Sequence, residues 1–197
     1  RSTPLYSSAA SDVYRRQRVY VEYLVREVGR TGVTVDLGRE ATVDSVVEER
    51  PDVVVVAAGP KTVVPDIPGI DAAGAVDAVA VLRGEAKVGR RVVIIGGELV
   101  GCETAEFLAE SGRVVTVTRR GPEMATGVGP SLRQFFLERL QQKGVTLMPG
   151  VRYVRARPGC LTVQTAAGEV VNLDVETIVC AVGSVADPGL HEALKGK

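Results

Sequence analysis

Apolar residues recur at helical spacing over residues 12–28, where Val13, Tyr20, Val21, Leu24, Val25 and Val28 share one face and arginines take the other. Gly29 ends that pattern. After Gly32, the alternation of Val33, Val35 and Leu37 with Thr34 and Asp36 predicts a short strand over 33–37. A short helix is predicted over 42–49. Pro51 and Asp52 then lead into Val53-Val54-Val55-Val56-Ala57-Ala58-Gly59. That β-branched run has no polar face, so it predicts a strand buried on both sides. Pro60, Pro65 and Pro68 make 59–69 an extended connection, because each proline removes a donor and keeps its predecessor out of the helical region.

The second half opens with a short predicted helix over 77–83 and a strand over 91–95 that runs directly into Gly96-Gly97. A helix over 99–111, a strand over 114–118, a helix over 131–142 and a strand over 145–148 follow. On the 131–142 helix, Leu132, Phe135, Phe136 and Leu140 are expected on one face. Strands and helices alternating at this spacing predict an α/β fold with a parallel sheet and right-handed crossovers. From Val151 the period changes to two, over 151–154, 161–165, 170–173 and 177–182, with turns at Pro158-Gly159 and Ala167-Gly168. This predicts an antiparallel meander over or beside the parallel sheet.

Composition narrows the chemistry. The 197 residues carry 24 Lys and Arg against 24 Asp and Glu, so no net positive charge is available for a phosphate backbone. No nucleic-acid partner is expected. No apolar stretch reaches the roughly 20 residues needed to span a bilayer, so no membrane partner is expected and the chain reads as soluble and cytoplasmic. Cys102, Cys160 and Cys180 match no metal or disulfide spacing, and His191 is the single histidine. No metal site and no catalytic side chain is identifiable.

The most informative stretch is Ile94-Ile95-Gly96-Gly97-Glu98-Leu99-Val100-Gly101-Cys102-Glu103, a strand that ends in glycines and opens a helix. The free amides and dipole of such a helix suit a pyrophosphate. A dinucleotide-binding fingerprint wants glycine at its first, third and sixth positions; Gly96 and Gly101 comply, and Glu98 stands third. A carboxylate 4 Å from one phosphate charge costs about 1 kcal/mol in water and about 4 at an effective dielectric of 20; binding could survive if its side chain points away, and the alternative is a plain strand-to-helix turn with no ligand. About twenty residues on, where a unit reading the ribose 2′-hydroxyl presents an acid, this chain has Arg119 and Arg120. A guanidinium fork suits a 2′-phosphate and favours NADPH over NADH. The arginines could equally be a solvated start to the loop through Gly121 and Pro122.

The order of these features resembles the C-terminal region of the 2,4-dienoyl-CoA reductase, NADH:flavin oxidoreductase and trimethylamine dehydrogenase-like family, which carries two dinucleotide-binding domains. Pro51 to Pro60 is similar to that family's "PDVVVVATG" strand, and Val64 to Ile70 to its "P-x-I-P-G" linker. Gly96 to Glu106 resembles its pyridine-nucleotide fingerprint, and Cys180 to Ser184 with Leu190 to Leu194 its closing strand and the segment that follows. The resemblance implies a Rossmann-like three-layer fold with an antiparallel meander, joined to part of a second, FAD-type α/β domain. The expected division is 1–72 for the partial FAD-type domain with its linker and 73–197 for the NAD(P) domain.

The resemblance further implies that Gly96, Gly97, Leu99, Val100 and Gly101 face the pyrophosphate of NADPH or NADH, with Glu98 beside them. Glu103 would lie toward the nicotinamide, Arg119 and Arg120 at the adenosine ribose, Gly183 at the cofactor's border, and Ala58 and Gly59 beside FAD. No first glycine fingerprint precedes Tyr14 and no Gly-Asp motif follows the closing strand, so the expectation is a fragment that works with the remaining domains of a larger flavoenzyme. In the family those domains include a barrel with FMN and an iron-sulfur cluster. The expected function is to hold NAD(P)H for hydride transfer to a flavin in an enone-reducing parent, the chain alone being inactive. A non-catalytic ADP-binding or electron-transfer-partner domain, and a nucleotide-sensing regulator, are the alternatives, and Glu98 favours the first of them.

Overall fold

The computed structural model describes residues 8–197, which divide into two compact units, one running to Val54 and including Gly196–Lys197, the other Val55–Lys195. In the first unit, α1 (Ser8–Arg30) is the long helix that the apolar spacing predicts. Its expected face residues before Val19 lie outside the described side chains. Helix α2 (Val43–Glu48) starts at Thr42, whose hydroxyl accepts from the Ser45 amide at 3.2 Å while the Ser45 hydroxyl accepts from the Thr42 amide at 2.9 Å. This reciprocal cap satisfies amide donors that a helix start leaves free.

Two expected strands are absent. Residues 33–37 form no strand, and Val33, Val35 and Leu37 are all exposed. The run 53–59 is likewise unpaired, with Val53 78% and Val55 84% exposed. A β-branched run supplies propensity, but a buried strand also needs neighbours on both edges, and none of the described strands flanks either segment.

The second unit begins with β1 (Pro60–Thr62), which pairs antiparallel with β10 (Ser184–Ala186) in a two-stranded sheet. The segment expected to be a bare connection therefore contributes a strand, and beyond it Ile67 and Ile70 enter the core. Next come β2 (Val76–Asp77), α3 (Ala78–Leu82), β3 (Arg91–Ile95), α4 (Leu99–Glu110), β4 (Val114–Thr118), α5 (Pro130–Gln142) and β5 (Thr146–Met148). Three antiparallel strands follow, β6 (Arg152–Arg157), β7 (Cys160–Gln164) and β8 (Val170–Asp174), and then β9 (Thr177–Cys180) and α6 (Gly189–Leu194). The main sheet is parallel, in the order β2-β9-β3-β4-β5. β9 was expected in the meander; its run of Ile178, Val179 and Cys180 is buried throughout, and it inserts beside β3 instead.

The pleat sorts β3 into two cores. Val92 and Ile94 join Val115, Val117, Cys102 and Leu108 on the helical side, whereas Val93 and Ile95 join Leu161, Val163, Val151 and Ile178 beneath the antiparallel sheet. Helices, parallel sheet and meander thus form the three layers of a Rossmann-like α/β fold. Helix α5 enters the core through Phe136, Leu137 and Leu140; Leu132 and Phe135, expected on the same face, are each 71% exposed, because its first turns lie off the core.

Candidate functional site

The sequence of strands places a topological switch at β3. From there the chain continues to β4 and β5 on one side, while β9 and β2 lie on the other. Ligands of open α/β sheets bind in the crevice beyond the carboxyl ends of the strands at such a point. A cavity of about 730 Å³ opens there, bordered by Gly96 and Gly97 after β3, Arg119 and Arg120 after β4, and Cys180 to Ser184 at and after β9. Thr62 to Asp66, Asp77 and Tyr153 complete much of the remaining wall.

The turn from β3 into α4 tolerates only glycine at its ends. Gly96 has φ +118° and donates to the Thr118 carbonyl at 2.9 Å; a Cβ there would stand 2.2 Å from the Ala181 carbonyl oxygen. A Cβ on Gly101 would stand 1.8 Å from the Gly96 carbonyl oxygen. The first and sixth glycines of the fingerprint therefore let strand, turn and helix meet at backbone distance. The first helical bond of α4 runs from the Cys102 amide to the Glu98 carbonyl at 3.0 Å. The amides of Leu99, Val100 and Gly101 thus have no partner within the helix and form its positive end.

Glu98, the N-cap of α4, makes no side-chain cap. Its carboxylate turns into the loop after β4, accepting from the Thr126 hydroxyl at 2.5 Å and the Gly127 amide at 3.1 Å and pairing with the Arg119 guanidinium. Burial raises the pKa of this carboxyl, but Thr126, Gly127 and Arg119 together outweigh it and hold the group below its ordinary value. The side chain is therefore engaged away from the helix amides, the condition under which a third-position glutamate is compatible with a pyrophosphate. Arg119 donates in addition to the Glu123 carbonyl at 2.5 Å and to Thr126 at 3.1 Å.

The two arginines consequently do not act as the pair the sequence suggests. Arg119 is committed to the loop, whereas the Arg120 guanidinium lies 5.4 Å from the centre of the Tyr153 ring and pairs with no carboxylate among the described residues. Tyr153 is anchored in turn. The Thr118 hydroxyl donates to the Ile94 carbonyl at 2.9 Å and so accepts from the Tyr153 hydroxyl at 3.0 Å. Burial raises the Tyr153 pKa, keeping the phenol protonated.

The cavity brings together Gly96, Gly97, Glu98, Val100, Arg119, Arg120 and Gly183. Gly101 is buried beneath the turn, and Leu99 and Glu103 lie exposed on α4 outside the cavity wall. Ala58 and Gly59 are exposed and also outside it. Sequence reasoning missed Tyr153 and Asp77, since a lone aromatic in a meander strand and a helix-capping aspartate carry no binding signature. Burial, with a nearby Glu98 carboxylate, pushes the Cys102 thiol up to about 11, and burial does the same for Cys180. Neither is a thiolate near neutral pH. Among the described residues no cluster of three His, Cys, Asp or Glu side chains could hold a metal ion, and no helix is long and apolar enough to cross a membrane.

The family model for pyridine nucleotide-disulphide oxidoreductases matches residues 6–196. A bilirubin reductase of Mediterraneibacter gnavus is 36% identical over 172 residues, 87% of this chain and 26% of that protein. A metal reductase of Desulforamulus reducens is 30% identical over 208 residues, 89% of this chain and 31% of that protein. Among solved structures, a 2-naphthoyl-CoA reductase superposes over 90% of this chain and 27% of its own, with a TM-score of 0.84 and 31% identity. The chain thus spans about a quarter to a third of the length of these relatives.

Proposed function

This chain belongs to the pyridine nucleotide-disulphide oxidoreductase family, and from that premise we propose that its second unit holds NADH or NADPH in the cavity beyond β3, β4 and β9 as the nucleotide-binding portion of a larger flavoenzyme. The observation that carries the reading is the coincidence of that cavity with the free amide end of α4 at the switch point of the sheet. A volume of about 730 Å³ lies within the roughly 300–1,000 Å³ of small-molecule sites.

The residues present fit a pyridine dinucleotide. The amide of Val100, the one of the three free amides whose residue borders the cavity, would meet the pyrophosphate at the positive end of α4, and Arg120, 5.4 Å from the centre of the Tyr153 ring, would meet the adenosine side. Gly183, with φ +103° and no atom within 4 Å of a Cβ position, leaves the wall after β9 open for the ring end. When bound, the nicotinamide supplies a hydride; the protein's part is orientation and the exclusion of water. Ala58 and Gly59 lie outside this cavity, so a flavin bordered by them would sit elsewhere than in it.

In the parent, the final acceptor of the nicotinamide's electrons would be a conjugated compound. An unsaturated or aryl thioester is the favoured class, supported by the likeness to a 2-naphthoyl-CoA reductase and by an order of motifs that resembles the 2,4-dienoyl-CoA reductase family. Calorimetric titration of the chain with NADH, NADPH, ADP and FAD tests the nucleotide reading. Binding of a whole dinucleotide more tightly than ADP, with weak FAD, is expected. ADP binding as tightly as the dinucleotide would favour a non-catalytic platform, and no binding at all would remove the function.

A further inference from the structure

We propose that Glu98 is a specificity-determining residue, which sequesters Arg119 and thereby makes the site one for a dinucleotide lacking a 2′-phosphate. The inference rests on the proposed nucleotide reading of the cavity and goes beyond it, from a class of ligand to a choice between two.

Three observations support it. Arg119 and Arg120 stand together at the end of β4, where the adenosine ribose is read, and two free guanidinium forks there would favour a phosphate. Arg119 is not free, however: Glu98, Thr126 and the Glu123 carbonyl engage both terminal nitrogens of its guanidinium, and only about a fifth of its side chain is exposed. Finally, the carboxylate comes from the third fingerprint position, the one where glycine normally leaves room for the ligand. One substitution thus adds a negative charge beside the dinucleotide turn and neutralises the nearest cation. A 2′-phosphate arriving there would face Arg120 alone, together with an acid already paired; a 2′-hydroxyl has no such penalty.

Glu98 acts through Arg119, so it is a positioning residue, and the ratio of two affinities separates that role from a structural one. Glu98→Gln is the test. Its amide oxygen can still accept from the Gly127 amide and its nitrogen can face the Thr126 hydroxyl, while the charge that holds Arg119 is gone. Calorimetric titrations of the native chain are expected to give tighter NADH than NADPH. In the Glu98→Gln chain, NADPH should gain about tenfold relative to NADH, roughly the worth of one added charge-assisted hydrogen bond, and the gain should shrink as salt is raised.

Glu123→Gln removes one negative charge from the same loop, where the carboxylate pairs with Arg133 and the backbone carbonyl stays on Arg119, so it should leave the ratio within about twofold of native. A ratio unmoved in Glu98→Gln, a native preference for NADPH, or the same shift in Glu123→Gln would each overturn the inference while leaving the nucleotide reading intact. Failure of the native chain to bind either dinucleotide would overturn that reading, and this inference with it.

Discussion

Two stretches of this chain look almost alike as sequences: Val53-Val54-Val55-Val56-Ala57-Ala58-Gly59 and Val92-Val93-Ile94-Ile95-Gly96-Gly97. Each is a β-branched run ending in glycine, and each predicts a strand. The second is the central strand of the parallel sheet, with β4 on one edge, β9 on the other, and Ile94 and Ile95 wholly inaccessible. The first forms no ladder, and its valines are largely exposed. What separates them is partners rather than propensity: Val93 faces Thr116 and Ile178 in register, and its pleat is covered by helices on one side and a second sheet on the other.

The largest effect should come from testing burial directly. Ile94→Ala is expected to lower stability by about 2–5 kcal/mol in urea unfolding, whereas Val55→Ala should change it by less than about 0.5. Equal losses would mean that the exposed run is covered as tightly as the buried one. The glycine ends of the second run should matter next. Gly101→Ala forces a Cβ to 1.8 Å from a backbone oxygen that cannot swing aside, so a loss of about 1–3 kcal/mol and at least tenfold weaker dinucleotide binding are expected by denaturation and calorimetry.

A contrast between cations is smaller. Arg120→Ala should weaken dinucleotide binding by about tenfold, while Arg39→Ala, which breaks an exposed pair with Asp36 in the other unit, should leave it unchanged. The smallest effect is in acid. Glu98 has a folded-state pKa below its ordinary value, so the stability its contacts supply is present above the ordinary carboxylate range and is lost as pH falls through the lowered value. The amide resonance of Gly127 should accordingly titrate with a midpoint below the ordinary glutamate value. A midpoint above that would show that the loop does not stabilise the charged form.

Much of the second unit was legible because its signals are local. The run 91–95 is a strand with those same bounds, the turn glycines sit where the fingerprint requires them, and Asp77 and Arg83 cap the short helix between them. What failed depended on distant partners. Nothing near residues 33–37 or 53–59 shows that no strand will flank them. Nothing in Thr177-Ile178-Val179-Cys180 says that it leaves the meander to pair with Val92-Val93-Ile94-Ile95. The site was legible as a turn and a pair of arginines, but not as a network. Spacing alone cannot reveal that a glutamate after one strand reaches the arginine after the next, or that Tyr153, from a different layer, carries the second arginine.

The central claim is that a dinucleotide seats its pyrophosphate on the free amides that open α4. The most direct measurement follows the backbone amide resonances of the 197-residue chain while NADH is added. The largest shifts are expected on Val100, which borders the cavity, and on its neighbours Leu99 and Gly101, with smaller ones at Arg120 and Gly183, and none on α2. Shifts confined to other parts of the chain, or saturation by NADH with those three amides unmoved, would contradict it.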